Sequence, residues 1–156
     1  MKTRSFVLLL TLALAATLPI CAQSAQCAPV GGVLITNIAA IDGIYNLGPV
    51  FGDLQGSVAA NIVSVNSDGT YTLQHYWVTT SGATILMKPA VLTPTYPTSD
   101  HNIVAVPWGN HSSTISGGTG KFVGATGTIN YFGMADFNKS TLVLRYSGTV
   151  CYKRQQ

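Results

Sequence analysis

Residues 116–128, SGGTGKFVGATGT, hold five glycines and one lysine, and their interpretation decides the fold class of this chain. A nucleotide-binding Walker loop has the pattern G-x-x-x-x-G-K-[ST], in which backbone amides surround the phosphates and the hydroxyl reaches magnesium. Aligned on Gly120-Lys121, that pattern requires glycine where Ile115 stands and serine or threonine where Phe122 stands. Two of its defining positions are therefore wrong, and the segment is not a Walker loop.

A dinucleotide-binding loop is the second nucleotide interpretation. Gly118, Gly120 and Gly124 give a loose G-x-G-x-x-x-G, but such a loop must open a helix whose N-terminus faces the pyrophosphate. The residues that follow, 125–137, read ATGTINYFGMADF and are rich in β-branched and aromatic side chains. This composition predicts a strand rather than a helix.

The glycines are better explained as parts of a turn and a strand. We predict that Gly117, Gly118 and Gly120 supply positive φ angles in a tight turn. We predict that Gly124 and Gly127 let a strand bend or let another backbone approach closely.

The rest of the chain repeats the strand pattern. Asp68-Gly69 is a strong hairpin signal between two β-branched runs, and Ser81-Gly82 marks the next reversal. Residues 93–102, TPTYPTSDHN, predict an exposed loop, and Asn138-Lys139 predicts a further turn. About eight strands with no convincing helix indicate an all-β antiparallel barrel or sandwich.

Alternation within the predicted strands favours the barrel. From Tyr71 to Val78, aromatic and polar side chains occur on both faces, which is awkward for a sandwich with one wet face. In the last strand, Leu142, Leu144 and Tyr146 share one face and Arg145 belongs to the other. We therefore expect an eight-stranded antiparallel barrel whose lumen carries some polar groups.

Residues 1–22 are predicted to be a secretory signal peptide. Lys2 and Arg4 precede an apolar run that ends at Leu18, followed by Pro19 and small residues. The run is too short for a comfortable membrane span, and we expect no membrane span elsewhere. The remaining 23–156 form one domain by length, with a secreted or periplasmic location.

Two cysteines remain after the predicted leader. In an oxidising compartment Cys27 and Cys151 are expected to form a disulfide that joins the two ends of the domain, with two free thiols as the alternative. Residues 23–156 contain six lysines and arginines, five aspartates and no glutamate. A net charge of about +1 predicts no nucleic-acid partner, and sparse surface charge predicts self-association.

The stretch 115–132, ISGGTGKFVGATGTINYF, resembles the glycine-rich turn and strand of the allene oxide cyclase and dirigent superfamily. The order of hairpin, loop, glycine turn and final strand is similar over 54–151. With its bacterial-style leader, the chain looks like an exported branch of that superfamily. The resemblance implies a calycin-like eight-stranded barrel that tends to form trimers and has an apolar lumen able to hold a small hydrophobic or phenolic molecule. We expect no cofactor.

The resemblance also implies a possible activity. Dirigent proteins steer the coupling or cyclisation of reactive intermediates with acidic and basic lumen residues, and the cyclases shape a fatty-acid epoxide. The matching core, Gly117–Gly127, is architectural in those families and carries no catalytic role to this chain. The family carboxylates cannot be placed on Asp42, Asp53 or Asp136, and the lack of glutamate weakens the cyclase interpretation.

Polar candidates for catalysis are Asp136, Arg145 and Tyr146. Asp136 and Arg145 lie on neighbouring predicted strands, so they could form an ion pair in the lumen or an ordinary cross-strand pair. We expect Arg145 to point inward beside Asp136, because an inward charge needs a partner or water.

Candidates for ligand binding are His75, Trp77, Tyr131 and Arg145. The aromatic residues could form a ligand platform, together with Tyr76, Trp108 and Phe132, or could serve core and interface packing. The three histidines match no zinc ligand spacing, so no metal site is expected. Three functions stay open at this point: a ligand-binding barrel, a dirigent- or cyclase-like protein and a packed structural barrel.

Overall fold

The computed structural model describes residues 25–153, which form ten β-strands. The strands are β1 (Ala25–Ile41), β2 (Tyr45–Gly52), β3 (Gly56–Val65), β4 (Tyr71–Thr79), β5 (Thr84–Met87), β6 (Ala90–Leu92), β7 (Ile103–Val106), β8 (Ser112–Gly118), β9 (Thr126–Asp136) and β10 (Thr141–Lys153). A single 3-10 turn, Gly120–Phe122, is the one helical element among these residues. No helix in this range is long and apolar enough to cross a membrane.

The strands close into a barrel. β10 pairs with β1 on one side and with β9 on the other, and every pairing is antiparallel. β5 and β6 both pair with β4, and β7 and β8 both pair with β9, so each of these couples occupies one position around the ring. The result is the predicted eight-stranded antiparallel barrel. The predicted leader, residues 1–22, lies outside the described residues.

The predicted reversals occur where the turn residues indicated them. Gly69 lies between β3 and β4 with a φ angle of +81°, and Gly82 lies between β4 and β5 with a φ angle of +79°. A residue with a side chain would be strained at these angles. Residues 137–140 join β9 to β10, and residues 93–102 carry no strand apart from a single bridge at Thr95.

The glycine-rich segment is a turn between β8 and β9, as predicted, but the glycines differ in their roles. Gly117 and Gly120 have positive φ angles of +138° and +56°. Gly118 has no positive φ angle. Glycine is required there because a Cβ atom would collide with the Thr84 carbonyl oxygen and the Phe122 Cβ. The prediction of a positive φ at Gly118 is therefore corrected to a close approach of two elements.

The other two glycines of the segment also have different structural roles. Gly124 has a φ of +68° in the turn before β9. At Gly127 a Cβ atom would collide with the Thr149 carbonyl oxygen of β10. Close packing of β9 against β10 therefore requires glycine at this position.

The barrel interior is apolar along β10. Leu144, Tyr146 and Val150 are buried, whereas Arg145 between them is exposed on the outer wall. The expectation that Arg145 points inward is corrected, because successive side chains of a strand face opposite sides. Two large buried side chains on its flanks leave no inward position for Arg145.

The ends of the chain meet at the seam of the barrel. Cys27 of β1 lies directly opposite Cys151 of β10, and the two form a disulfide. The pairing agrees with the bond predicted between these two cysteines.

Candidate functional site

One half of the barrel is filled by large aromatic side chains. Trp77 of β4 meets the ring of Tyr146 edge to face at a centroid distance of 5.2 Å, and both are almost completely buried. The Tyr146 hydroxyl accepts a hydrogen bond from the Leu54 backbone N–H at 3.0 Å and donates to the Phe51 carbonyl at 3.3 Å. This hydroxyl, predicted as a catalytic candidate, is thus engaged in holding the segment after β2 to the barrel wall.

The other half contains a cavity of about 50 Å³. It lies beyond Trp77, toward the barrel end that carries the turn between β3 and β4, because Leu73 and His75 precede Trp77 on β4. Its walls are Leu34, Thr36, Asn46, Val58, Ala60, Leu73, His75, Leu92, Val106, His111, Leu142 and Leu144. None of these side chains is an acid, a lysine or an arginine.

Two histidines form the main polar feature of the cavity. The Nε2 atoms of His75 and His111 are 3.4 Å apart, and both rings are buried. His111 Nδ1 lies 3.1 Å from the Val91 carbonyl, and His75 Nδ1 lies 3.3 Å from the Ser113 hydroxyl. Tyr131 packs parallel to His75 with ring centroids 4.7 Å apart, which fixes the imidazole plane.

The carbonyl partner determines where the protons lie. A carbonyl only accepts, so His111 carries its proton on Nδ1 and leaves Nε2 as an acceptor. His75 then donates from Nε2 to His111 and accepts at Nδ1 from the Ser113 hydroxyl. We call this chain, from Ser113 through His75 and His111 to the Val91 carbonyl, the histidine relay.

Burial keeps the histidine relay uncharged. Desolvation, with repulsion from His111 as a smaller cause, lowers the pKa of His75 to about 3. Desolvation also lowers the pKa of His111, against the opposing effect of the Val91 carbonyl. Burial raises the pKa of Tyr131 as well, so its phenol stays protonated. The site therefore offers neutral donors and acceptors at neutral pH.

Three further buried polar atoms have no hydrogen-bond partner among the described residues. They are the Thr36 hydroxyl, on a cavity-lining side chain, the Asn61 Oδ1 on β3, and the Trp77 indole N–H, in the filled half. Unpartnered polar atoms in a core cost free energy and call for a physical reason.

Three of the four residues predicted to bind a ligand face the barrel interior. His75, Trp77 and Tyr131, predicted as ligand-binding candidates, all point into the barrel. His75 lines the cavity, Tyr131 stacks on it, and Trp77 lies in the filled half. The other aromatic residues proposed for a platform, Tyr76, Trp108 and Phe132, belong to the outer wall, where Trp108 meets Phe132 at 4.9 Å.

Asp136 and Arg145 do not form the expected pair. The Asp136 carboxylate lies 3.4 Å from Lys139 Nζ in the turn after β9. The antiparallel register places Arg145 opposite Phe132, and its guanidinium lies 5.7 Å from the Phe132 ring centroid on the outside. Asp136 faces Thr141 in that register, four residues from Arg145. Neither side chain reaches the cavity.

The sequence interpretation missed His111, Ser113, Thr36 and Asn46. The alternation of residues 111–116, HSSTIS, could have found two of them, because it places His111, Ser113 and Ile115 on one buried face. Nothing in the sequence indicates that His111 lies beside His75, which is on another strand. Within residues 25–153, no three histidine, cysteine, aspartate or glutamate side chains group as a metal site would require.

A solved structure of a pterocarpan synthase dirigent protein aligns over 93% of this chain and 98% of its own, with 14% identity and a TM-score of 0.38. No protein-family model matches the chain. No curated protein sequence matches it either.

Proposed function

We propose that this protein is an exported barrel that binds the apolar end of a small uncharged molecule in the cavity beside His75. The observation that carries the proposal is a cavity with apolar walls and a neutral pair of imidazoles at one side. Ligand sites commonly combine mainly apolar walls with a few placed polar groups. A charged ligand would lose its hydration here without meeting an opposite charge.

The volume of the cavity limits the size of the ligand that can enter it. Typical small-molecule sites measure about 300–1,000 Å³, whereas this cavity measures about 50 Å³. Only one end of a ligand fits inside, and the remainder would extend toward the barrel end near Leu73. The filled half, with Trp77 and Tyr146, sets the depth that a ligand can reach.

Export is part of the proposal. It is supported by the leader-like residues 1–22 and by the disulfide between Cys27 and Cys151, a bond that persists in oxidising compartments. The dirigent-like alternative, in which the barrel steers a reactive intermediate, would use the same cavity. Asp136 and Arg145 could not take part in it from where they lie.

Self-association as a trimer is proposed for the outer wall. Ile35, Val143 and Met134 are adjacent across β1, β10 and β9, and each is 41–49% exposed. A continuous apolar row of this kind is favourable when a second copy covers it. Light scattering at micromolar concentration tests this: a trimer is expected, and a monomer would refute it.

A packed structural barrel is the second candidate. It is favoured by the small cavity volume and by the outward position of Arg145, the arrangement expected of a barrel that holds no ligand. A structural barrel would not bind small apolar probes, so a measurement of probe binding distinguishes the two functions.

A pair of adjacent alanines provides the test. Ala60 lines the cavity, whereas Ala59 precedes it on β3 and faces the other side of the wall. Titration of toluene and phenol, followed by amide chemical shifts, should move cavity residues in the wild type and in Ala59→Leu. Ala60→Leu should abolish those shifts while keeping a folded spectrum. If the wild type binds neither probe at millimolar concentration, the structural barrel replaces the binding proposal.

A further inference from the structure

We propose that a second binding site, at the opposite end of the barrel, takes a small zwitterion with an apolar side chain, such as a free aliphatic amino acid. The site is a groove between the start of β1, the end of β10 and the turns after β2 and β8, and its lining includes Val30, Asp53, Lys121 and Tyr152. Its volume is about 180 Å³, against about 50 Å³ for the cavity beside His75. We call it the end groove.

The filled half of the barrel separates the end groove from the cavity beside His75. Along β10, Leu142 and Leu144 line the cavity, Tyr146 belongs to the filled half, and Val150 and Tyr152 line the end groove. The two sites share no lining residue. The proposal therefore goes beyond the proposed function and does not depend on it.

Much of the lining of the end groove is apolar. Leu54, Phe122 and Val150 are buried, and Val30 and Tyr152 are half-buried. A ligand with an apolar side chain would displace water from these surfaces, which favours binding. Because sites for drug-sized molecules measure about 300–1,000 Å³, a groove of about 180 Å³ suits a smaller ligand.

The lining also contains one cation and one anion, Lys121 and Asp53, and both side chains are exposed. They do not neutralise each other, because the single ion pair among the side chains that the structure describes joins Lys139 to Asp136. A ligand in the end groove therefore meets two separate, opposite charges.

Contacts within the chain restrict where these two charges lie. The Gly31 N–H donates to Asp53 Oδ2 at 2.8 Å, and the Asp53 N–H donates to the Gly31 carbonyl at 3.1 Å. Lys121 Nζ lies 5.1 Å from the centroid of the Phe122 ring, within the range of a cation–π contact. Both charges are thus held beside apolar lining.

A zwitterion matches this arrangement better than an ion of either sign. A simple carboxylate would be attracted by Lys121 and repelled by Asp53, and a simple amine would meet the reverse. An amino acid carries an ammonium group and a carboxylate next to one side chain. It can meet both charges while its side chain covers the apolar lining.

Three ligands with the same branched side chain test the proposal: free leucine, isocaproate, which lacks the amine, and isoamylamine, which lacks the carboxylate. Each is titrated into the wild-type protein at low ionic strength, where exposed charges are least screened, and amide chemical shifts are recorded. Free leucine should bind about threefold more tightly than either single ion. The shifts should appear at Val30 and Val150 rather than at Leu142 and Leu144.

Charge variants should change this order in opposite directions. Asp53→Asn keeps an oxygen that can accept from the Gly31 N–H but removes the negative charge, so isocaproate should gain about threefold relative to free leucine. Lys121→Gln should give the same gain to isoamylamine. Lys139→Gln is the matched control, because Lys139 lies outside the end groove, and should keep the wild-type order.

Three results would overturn the proposal: an unchanged order of the ligands in Asp53→Asn and Lys121→Gln, no binding of free leucine at high millimolar concentration, or shifts confined to the cavity beside His75. The cavity-blocking variant Ala60→Leu should still bind free leucine. Failure at the end groove therefore remains distinguishable from failure of the proposed function, which toluene and phenol test.

Discussion

The two halves of the barrel interior are built from the same strands but packed differently. Trp77 and Tyr146 are large side chains that meet edge to face, and neither lines the cavity found further along β4. Two residues away, His75 and the smaller Val58 and Ala60 surround a cavity. The difference teaches that residue volume, rather than strand geometry, sets the depth of the lumen, because both halves share one backbone lattice.

The largest expected loss of stability comes from a substitution in the filled half of the barrel. Trp77→Ala should lower the free energy of unfolding by about 3–5 kcal/mol, because it removes a fully buried side chain and leaves a void. Leu73→Ala, at the half-buried wall of the cavity, should lower it by about 1–2 kcal/mol. Urea denaturation of both variants measures the contrast, and equal losses would show that the two halves are packed alike.

The seam between β1 and β10 gives the next largest effect. Replacing both Cys27 and Cys151 with serine should lower the free energy of unfolding by about 2–4 kcal/mol, chiefly by freeing the unfolded chain. Urea denaturation of the double variant and of the oxidised wild type tests this. Alkylation and intact mass are the accompanying check, since two labelled thiols in the exported wild type would show that the bond does not form.

A pH dependence should come from the hollow half. His75 and His111 have folded-state pKa values below the usual 6.5, so the unfolded chain takes up protons first. Their contribution to stability is complete above about pH 6.5 and is lost as the pH falls, down to about pH 3 for His75. Each group contributes up to about 1.4 kcal/mol per pH unit in this window.

The control for the pH effect lies outside the barrel. Urea midpoints measured from pH 7.5 to 5 should fall less steeply in His75→Gln than in the wild type. His101→Gln should keep the wild-type slope, because His101 is exposed. A wild-type slope in His75→Gln would show that other groups cause the acid sensitivity.

The smallest expected effect compares two buried threonines. The Thr36 hydroxyl has no partner among the described residues, so Thr36→Val should raise the free energy of unfolding by about 1 kcal/mol. The Thr79 hydroxyl bonds the Ala83 carbonyl at 3.0 Å, so Thr79→Val should lower it by about 1 kcal/mol. Thermal or urea denaturation distinguishes the signs, and a loss in Thr36→Val would indicate that its hydroxyl has a partner in solution.

Much of the fold was predictable because its signals are local. Asp68-Gly69 and Ser81-Gly82 require positive φ angles at their glycines, and the structure has hairpins at both. The failure of the Walker pattern at Ile115 and Phe122 has a structural counterpart, since both side chains are buried in the core. Lys121, next to Gly120, is therefore part of a turn rather than of a phosphate-binding loop.

The candidate site was only partly predictable, because its members come from different strands. His75 was identified from its place on an aromatic strand, but its partner His111 is 36 residues away and meets it only through the closed sheet. Arg145 was assigned to the wrong side because the alternation of β10 shows which residues share a face, not which face points inward. Two large neighbours, Leu144 and Tyr146, decided that.

The sequence by itself determined the β class, the positions of the reversals and the cysteines available for pairing, since these depend on residues close in the chain or few in number. Tertiary structure alone decided the direction of each strand face, the proton positions in the histidine relay and the existence of the cavity. These depend on which strands become neighbours, on a carbonyl at Val91 and on the sum of side-chain volumes across the lumen. Packing is a property of all the strands together, so no single stretch of sequence contains it.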